Sequence, residues 1–238
     1  GDVYKRQGLF DLLLAQHLAH LPGLALGRGA SGGDTQHLPH RQPVTQLLRH
    51  CFSRGGRHAA YPDPMRVLLS TTSGAEVPGT LVALPDLAIR CAAPATEHTW
   101  LRANMVSTLD GAATGADGRS GSITTAADKT VFDLLRAISD AVVVGAGTVR
   151  TEGYSPLRLS DEYAALRADV GLPAALPLVV ITRSGRLPTQ LLQQGDDAPV
   201  HVIVPGDCAQ VLRLRSALGA AAVHVAGDHD VDLPAGVR

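Results

Sequence analysis

Ala141-Val-Val-Val-Gly-Ala-Gly-Thr-Val-Arg-Thr-Glu152 is the stretch on which the fold turns. Ala141 to Val144 is short and wholly apolar, the pattern of a strand buried on both faces in a parallel sheet. It runs straight into Gly145-Ala146-Gly147-Thr148, a glycine turn at the strand's carboxyl end. In open α/β sheets ligands collect beyond those ends, where loops are free to vary and helix N-termini offer unpaired N–H donors. Gly145 and Gly147 would let the backbone approach a dinucleotide closely, with Thr148 donating to a phosphate or ribose oxygen; a tight strand-to-loop turn asks for the same glycines. The third glycine of the dinucleotide fingerprint and the acidic residue after the next strand are both missing, so the segment is not a Rossmann fingerprint.

Working outward, Leu101 to Thr108 alternates loosely and meets Asp110-Gly111, which predicts a strand ending in a polar turn. A second turn is marked by Asp117-Gly118. Thr124 or Thr125 can cap the helix that follows, with Asp128 near its positive end and Val131, Leu134, Leu135 and Ile138 on one face; it should stop near Ser139. Leu178 to Thr182 and Val200 to Val204 read as two more buried strands joined through loops. Asp207 to Leu218 reads as a helix with Val211, Leu214 and Leu218 inward, and Ala222 to Val225 as a further strand. The order strand, helix, strand, strand, helix, strand favours an α/β sheet that is largely parallel.

The bulk numbers narrow the partners. A formal net charge of -1 leaves no global basic field for nucleic acid or an anionic membrane, so any phosphate must be held locally. With 45% apolar and only 3% aromatic residues, aliphatic strands and Ala-rich helices are favoured over a base-stacking surface. Cys51, Cys91 and Cys208 are scattered with no CxxC pair, which points to the cytoplasm. His17, His20 and Pro22 interrupt the Leu-rich Gly8 to Leu26, so it does not read as a membrane span.

Residues 1–64 look foreign. Asp2-Val3-Tyr4-Lys5-Arg6-Gln7 resembles a translated transposase adapter, and the stretch to Pro64 shows little sustained period. It is expected to be translated upstream sequence and disordered. Six of the ten histidines lie here (His17, His20, His37, His40, His50, His58), but their spacing is irregular and no acidic partner sits at ligand distance, so no metal site is expected. Met65 is a plausible start, making 65–238 the domain.

Taken together, Leu101-Arg-Ala-Asn-Met-Val-Ser-Thr-Leu-Asp-Gly111, Ser122-Ile-Thr-Thr-Ala-Ala-Asp-Lys129 and Val142-Val-Val-Gly-Ala-Gly-Thr-Val-Arg-Thr-Glu152 resemble, in order and spacing, the pyrimidine reductases of riboflavin biosynthesis. The likeness runs from about Met65 to the C-terminus. It implies a dihydrofolate-reductase-like α/β fold: a mixed, mostly parallel sheet flanked by helices. NADPH would be the hydride donor, and the substrate 5-amino-6-(5-phosphoribosylamino)uracil or a related pyrimidine, its ribosyl group reduced to ribityl.

By position, the resemblance places Asp110 in the catalytic polar role. Asn104, Ser107, Thr125 and Glu152 would lie against substrate. Thr124, Gly145, Gly147, Thr148 and Val149 would lie against the cofactor, and Thr182, Arg183 and Ser184 near its adenosine 2'-phosphate. From the residues alone, Lys129 and Arg150 could neutralise a substrate phosphate or equally be solvated helix and loop cations. Relatives continue through a glycine-pair cofactor loop and final strands that close the sheet and form a homodimer. The chain is therefore expected to be C-terminally truncated and little active by itself. No deaminase-type zinc motif precedes the domain. Two alternatives remain open: another reductase of the same fold with a pterin or carbonyl substrate, and a non-catalytic nucleotide-binding module.

Overall fold

The computed structural model describes residues 13–16, 65–66, 81–93, 99–193 and 195–236. In chain order the strands are β1 (Leu13–Gln16), β2 (Met65–Arg66), β3 (Leu81–Val82), β4 (Trp100–Ala103), β5 (Ala141–Gly145), β6 (Leu178–Ile181), β7 (Val200–Val204) and β8 (Val223–Val225). The helices are α1 (Leu84–Cys91), α2 (Ala126–Ala137), α3 (Ala146–Glu152), α4 (Asp161–Asp169), α5 (Val211–Leu218) and a short α6 (Leu233–Gly236).

Six strands form the main sheet in the order β4-β1-β5-β6-β7-β8, and β2 pairs with β3 apart from it. From β5 to β8 every pairing is parallel. β1 runs antiparallel to both β4 and β5, so those two point the same way and only β1 is reversed. The result is the mixed, mostly parallel α/β sheet flanked by helices that the sequence predicts, consistent with a dihydrofolate-reductase-like fold.

The wholly apolar strands are buried because both faces are covered. On one face Val142, Val144, Leu178, Val180, Val200 and Val202 meet Leu134, Leu135 and Ile138 at the end of α2, Val149 of α3, Leu166 of α4, and Leu214 and Leu218 of α5. The other face carries a smaller cluster of Ala141, Val143, Val179, Ile203 and Ala226. The α2 pattern is the expected one: Thr125 caps it, accepting from the Asp128 amide at 3.2 Å, and Ile138 closes it. No described helix is long and apolar enough to cross a membrane.

Four differences from the sequence reading have physical causes. Leu13–Gln16, inside the stretch expected to lie outside the fold, supplies the strand between β4 and β5; the rest of residues 1–64 lies outside the described residues. The strand expected over 101–108 stops at Ala103, the residue paired with Leu13, where the described part of β1 begins. α3 begins at once after β5, so Gly145-Ala146-Gly147-Thr148 is the first turn of a helix rather than a loop. α4 was not foreseen either. Between β6 and β7 no α-helix intervenes: a 3-10 turn, Thr189–Leu192, covers the sheet by burying Leu191.

Candidate active site

Three segments converge on one cavity. Residues leaving β4 (Asn104, Met105, Val106) form one wall, and the approach to α2 (Ser120, Gly121, Thr124) another. α2 contributes Asp128, Lys129, Phe132 and Arg136, which recur at helical spacing and so share a face. The end of α3 and its exit close the cavity with Thr148, Glu152, Gly153, Tyr154, Ser155 and Leu157. The volume is about 380 Å³, enough for a small-molecule ligand.

Glu152 ties two of the walls together, its carboxylate accepting the Ser120 amide at 2.8 Å. Thr124 adds to this corner by donating to the Ser120 carbonyl at 3.2 Å. Gly153 follows α3 with φ of 74°, the left-handed conformation that lets the chain turn back along the cavity.

Arg136 dominates the electrostatics. Its guanidinium lies over the Phe132 ring at 3.9 Å and 5.8 Å from the Tyr154 ring centroid. Among the described residues its side chain bonds the Tyr154 hydroxyl at 3.5 Å, and its buried Nε has no partner. Burial pushes the guanidinium below its ordinary pKa, with Tyr154 and Asp133 pulling it back up. Among the described residues no carboxylate lies within salt-bridge distance of it. Lys129 lines the same cavity from the same face of α2, paired with Asp133 at 2.6 Å but largely exposed. A smaller cavity of about 220 Å³ shares Lys129, Arg136 and Leu157 with the first and adds Arg158, which pairs with Asp197.

The predicted residues divide. Asn104, Thr124, Thr148 and Glu152 line the cavity together, as does Lys129. Gly145, Gly147, Thr182, Arg183 and Ser184 lie at or just past the carboxyl ends of β5 and β6, where Gly145 and Ile181 are register partners. There Thr182 is buried and accepts the Gly185 amide at 3.1 Å, Ser184 accepts the Arg186 amide at 3.4 Å, and Arg183 pairs with Asp230 at 3.3 Å.

Ser107, Asp110, Thr125, Val149 and Arg150 do not line the cavity. Asp110 is exposed, and its carboxylate accepts from Thr108 within its own turn; that bond, then one from the Ala112 amide, lowers its pKa. Thr125 serves as the α2 cap, Val149 is wholly buried in the core, and Arg150 donates to the Arg186 carbonyl at 3.2 Å. Reading the sequence missed Arg136, Phe132, Tyr154 and Ser120. Arg136 was findable, because it falls on the helical face of Lys129 and Phe132.

The glycines bear on whether a dinucleotide fits. Gly145 has φ of -74°, and Gly147 sits inside α3, so neither needs glycine's backbone freedom. A Cβ added at either would meet nothing within 4 Å. Two side-chain-free positions in ordinary conformations, facing open space at a strand's carboxyl end, fit a flat ligand passing close to the backbone.

The family profile described as "RibD C-terminal domain" matches residues 99–238. The match opens just before β4 and takes in every residue of the cavity. Among solved structures, a pyrimidine reductase-like protein from Corynebacterium diphtheriae is 25% identical, with a TM-score of 0.42, over 51% of this chain and 52% of that one. The chain thus spans about half the length of that protein. No curated protein matches significantly.

Proposed function

Because the chain belongs to the RibD C-terminal domain family, a reductase family of the riboflavin pathway, we propose that it reduces 5-amino-6-(5-phosphoribosylamino)uracil, or a closely related phosphorylated pyrimidine, with NADPH. The observation that carries this reading is Arg136: a cation held over an aromatic ring on a cavity wall, with no carboxylate partner among the described residues and with Lys129 lining the same cavity. Such an arrangement suits an anionic end of a small ligand, and the paired cations suit a phosphate ester. Neutral pterins and simple carbonyls bring no anionic group to it.

NADPH, when bound, supplies the hydride. Gly145 and Gly147 leave room for it at the backbone, and Thr148 offers a hydroxyl at the cavity side of α3. Thr182, Arg183 and Ser184 offer two hydroxyls and a guanidinium where a 2'-phosphate would distinguish NADPH from NADH. Arg183 would exchange its exposed contact with Asp230 for that phosphate.

On the substrate, the ribosylamine ring opens to an imine at C1′; hydride adds to C1′ and a proton to the nitrogen, leaving a ribityl chain. Arg136 and Lys129 hold the phosphate, Asn104 and Glu152 offer an amide and a carboxylate to polar groups of the pyrimidine, and the walls exclude water. Asp110 takes a polar role on the arm beyond Asn104–Val106, reaching the substrate by movement of that arm over the cavity. The protein resides in the cytoplasm and works as a homodimer.

The test is nicotinamide oxidation by the intact gene product, offered the aminouracil ribotide and dihydrofolate in turn. Oxidation with the ribotide alone is the expected result. Oxidation with dihydrofolate alone would move the substrate to the pterins, and cofactor that binds but is oxidised with neither would leave a nucleotide-binding module.

A further inference from the structure

Arg167 on α4 is the largest fully buried side chain among the described residues, with 0% of its surface exposed. Among the described residues, every hydrogen-bond acceptor it meets is a main-chain carbonyl. Its Nε donates to Pro173 O at 2.8 Å and one Nη to Ala175 O at 3.3 Å, both in the loop before β6. The other Nη donates to Arg136 O at 3.3 Å, Ala137 O at 3.1 Å and Ser139 O. Burial lowers its pKa to about 10, with the Asp140 carboxylate pulling it back up, so it is a cation at neutral pH.

Burying a charge without a carboxylate in contact is costly, and a hydrophobic side chain of similar volume would often stabilise a fold as well or better. What the cation does here is specific to the end of α2. The last carbonyls of a helix have no partner inside it, and positive charge is favoured at that end. Arg167 donates to carbonyls of that end from a neighbouring helix, and the first of them, Arg136 O, also accepts the Ser139 amide at 3.2 Å.

Arg136 itself is weakly held at its tip, by a ring beneath it and one long bond to Tyr154. Where its guanidinium stands in the cavity therefore depends on the backbone turn that launches it. We infer that Arg167 is the positioning residue for Arg136: by pinning the last turn of α2 to α4 and to the 173–175 loop, it fixes the direction in which Arg136 enters the cavity. The consequence for ligand selection rests on the reading of Arg136 as the phosphate-binding group. The positioning itself does not.

Two variants test this side by side in the full chain: Arg167→Met, which keeps the volume, and Arg167→Lys, which keeps a cation but only one donor group. The first readout is the order of the Arg136 Nε–H bond by nuclear magnetic resonance in the ligand-free protein, with the Leu134 amide as reference. The second is the affinity ratio between the aminouracil ribotide and its dephosphorylated form. The expected result is loss of Arg136 order with Leu134 unchanged, and a fall of about tenfold in the ratio, the scale of one charge-assisted hydrogen bond. Undiminished Arg136 order in either folded variant overturns the inference, and so does failure of both to fold, since Arg167 would then serve the core alone. Lost Arg136 order in a protein whose wild type binds both ligand forms equally supports the positioning and refutes the phosphate reading instead.

Discussion

Glu152 and Ser120 lie 32 residues apart, and the 2.8 Å bond between them fastens the approach of α2 to the end of α3. A carboxylate accepting a backbone amide contributes about 1.5–3 kcal/mol when partly buried. Glu152→Ala is therefore expected to weaken ligand binding by roughly tenfold or more at that scale, while Glu152→Gln, which keeps an acceptor oxygen, retains most of the affinity; calorimetric titration with the ribotide checks both. Asp110 makes the opposite case. Its carboxylate is solvent-exposed and bonded within its own turn, so Asp110→Asn should leave the thermal midpoint unchanged. The expected effect is on turnover, measured with the ribotide at saturation, and unchanged turnover would remove Asp110 from the mechanism.

At the scale of elements, α3 puts the glycines to a test that separates folding from binding. Gly147 is helical, faces open space and carries no steric demand for glycine. Gly147→Ala should then stabilise the protein by about 0.5 kcal/mol in denaturant melts, yet weaken NADPH binding because a methyl group fills the space the cofactor needs. A variant both more stable and equally able to bind would place the dinucleotide elsewhere. The contrast between helices also shows what the sequence can reveal. α2 was legible because its buried residues, Leu134, Leu135 and Ile138, are apolar and periodic, with a hydroxyl at the cap. α4 was not, because one of its two buried positions holds Arg167, and a charged residue facing inward erases the apolar stripe. α3 was hidden by Gly147, a poor helix former retained in a helix that packs Ala146 and Val149 into the core. Of the motif residues, Asn104, Thr124, Lys129, Thr148 and Glu152 line the cavity while Ser107, Asp110, Thr125, Val149 and Arg150 do not, and Phe132, Arg136 and Tyr154 depend on a helix face meeting a loop. Pairing of β1 into the sheet is a long-range contact with no local signature.

Across the whole molecule, the cavity and the glycine edge occupy one region, and the sheet's two faces differ in chemistry. The smaller apolar face includes His201 of β7 and His224 of β8, their rings stacked at 5.4 Å with Nδ1 and Nε2 3.2 Å apart. Burial, and then the neighbouring His224, lower the His201 pKa from 6.5 to about 4; burial lowers that of His224 as well. The unfolded chain therefore binds more protons than the folded one between those values. Stability is fully present above about pH 6.5 and is lost as pH falls toward 4, on the order of 2–3 kcal/mol for His201. Melting curves across that window should show the fall, and His201→Leu should flatten it; an equal slope in the variant would assign the loss to other groups. The proposed function depends on the cavity taking the phosphorylated end of a pyrimidine ribotide against Arg136. Its most direct measurement is the affinity of wild type and Arg136→Gln for the aminouracil ribotide and for the same compound without its phosphate. A wild type that prefers the ribotide by tenfold or more, with the preference abolished in the variant, is the predicted result; equal affinities in the wild type, or a preference that survives the substitution, would contradict it.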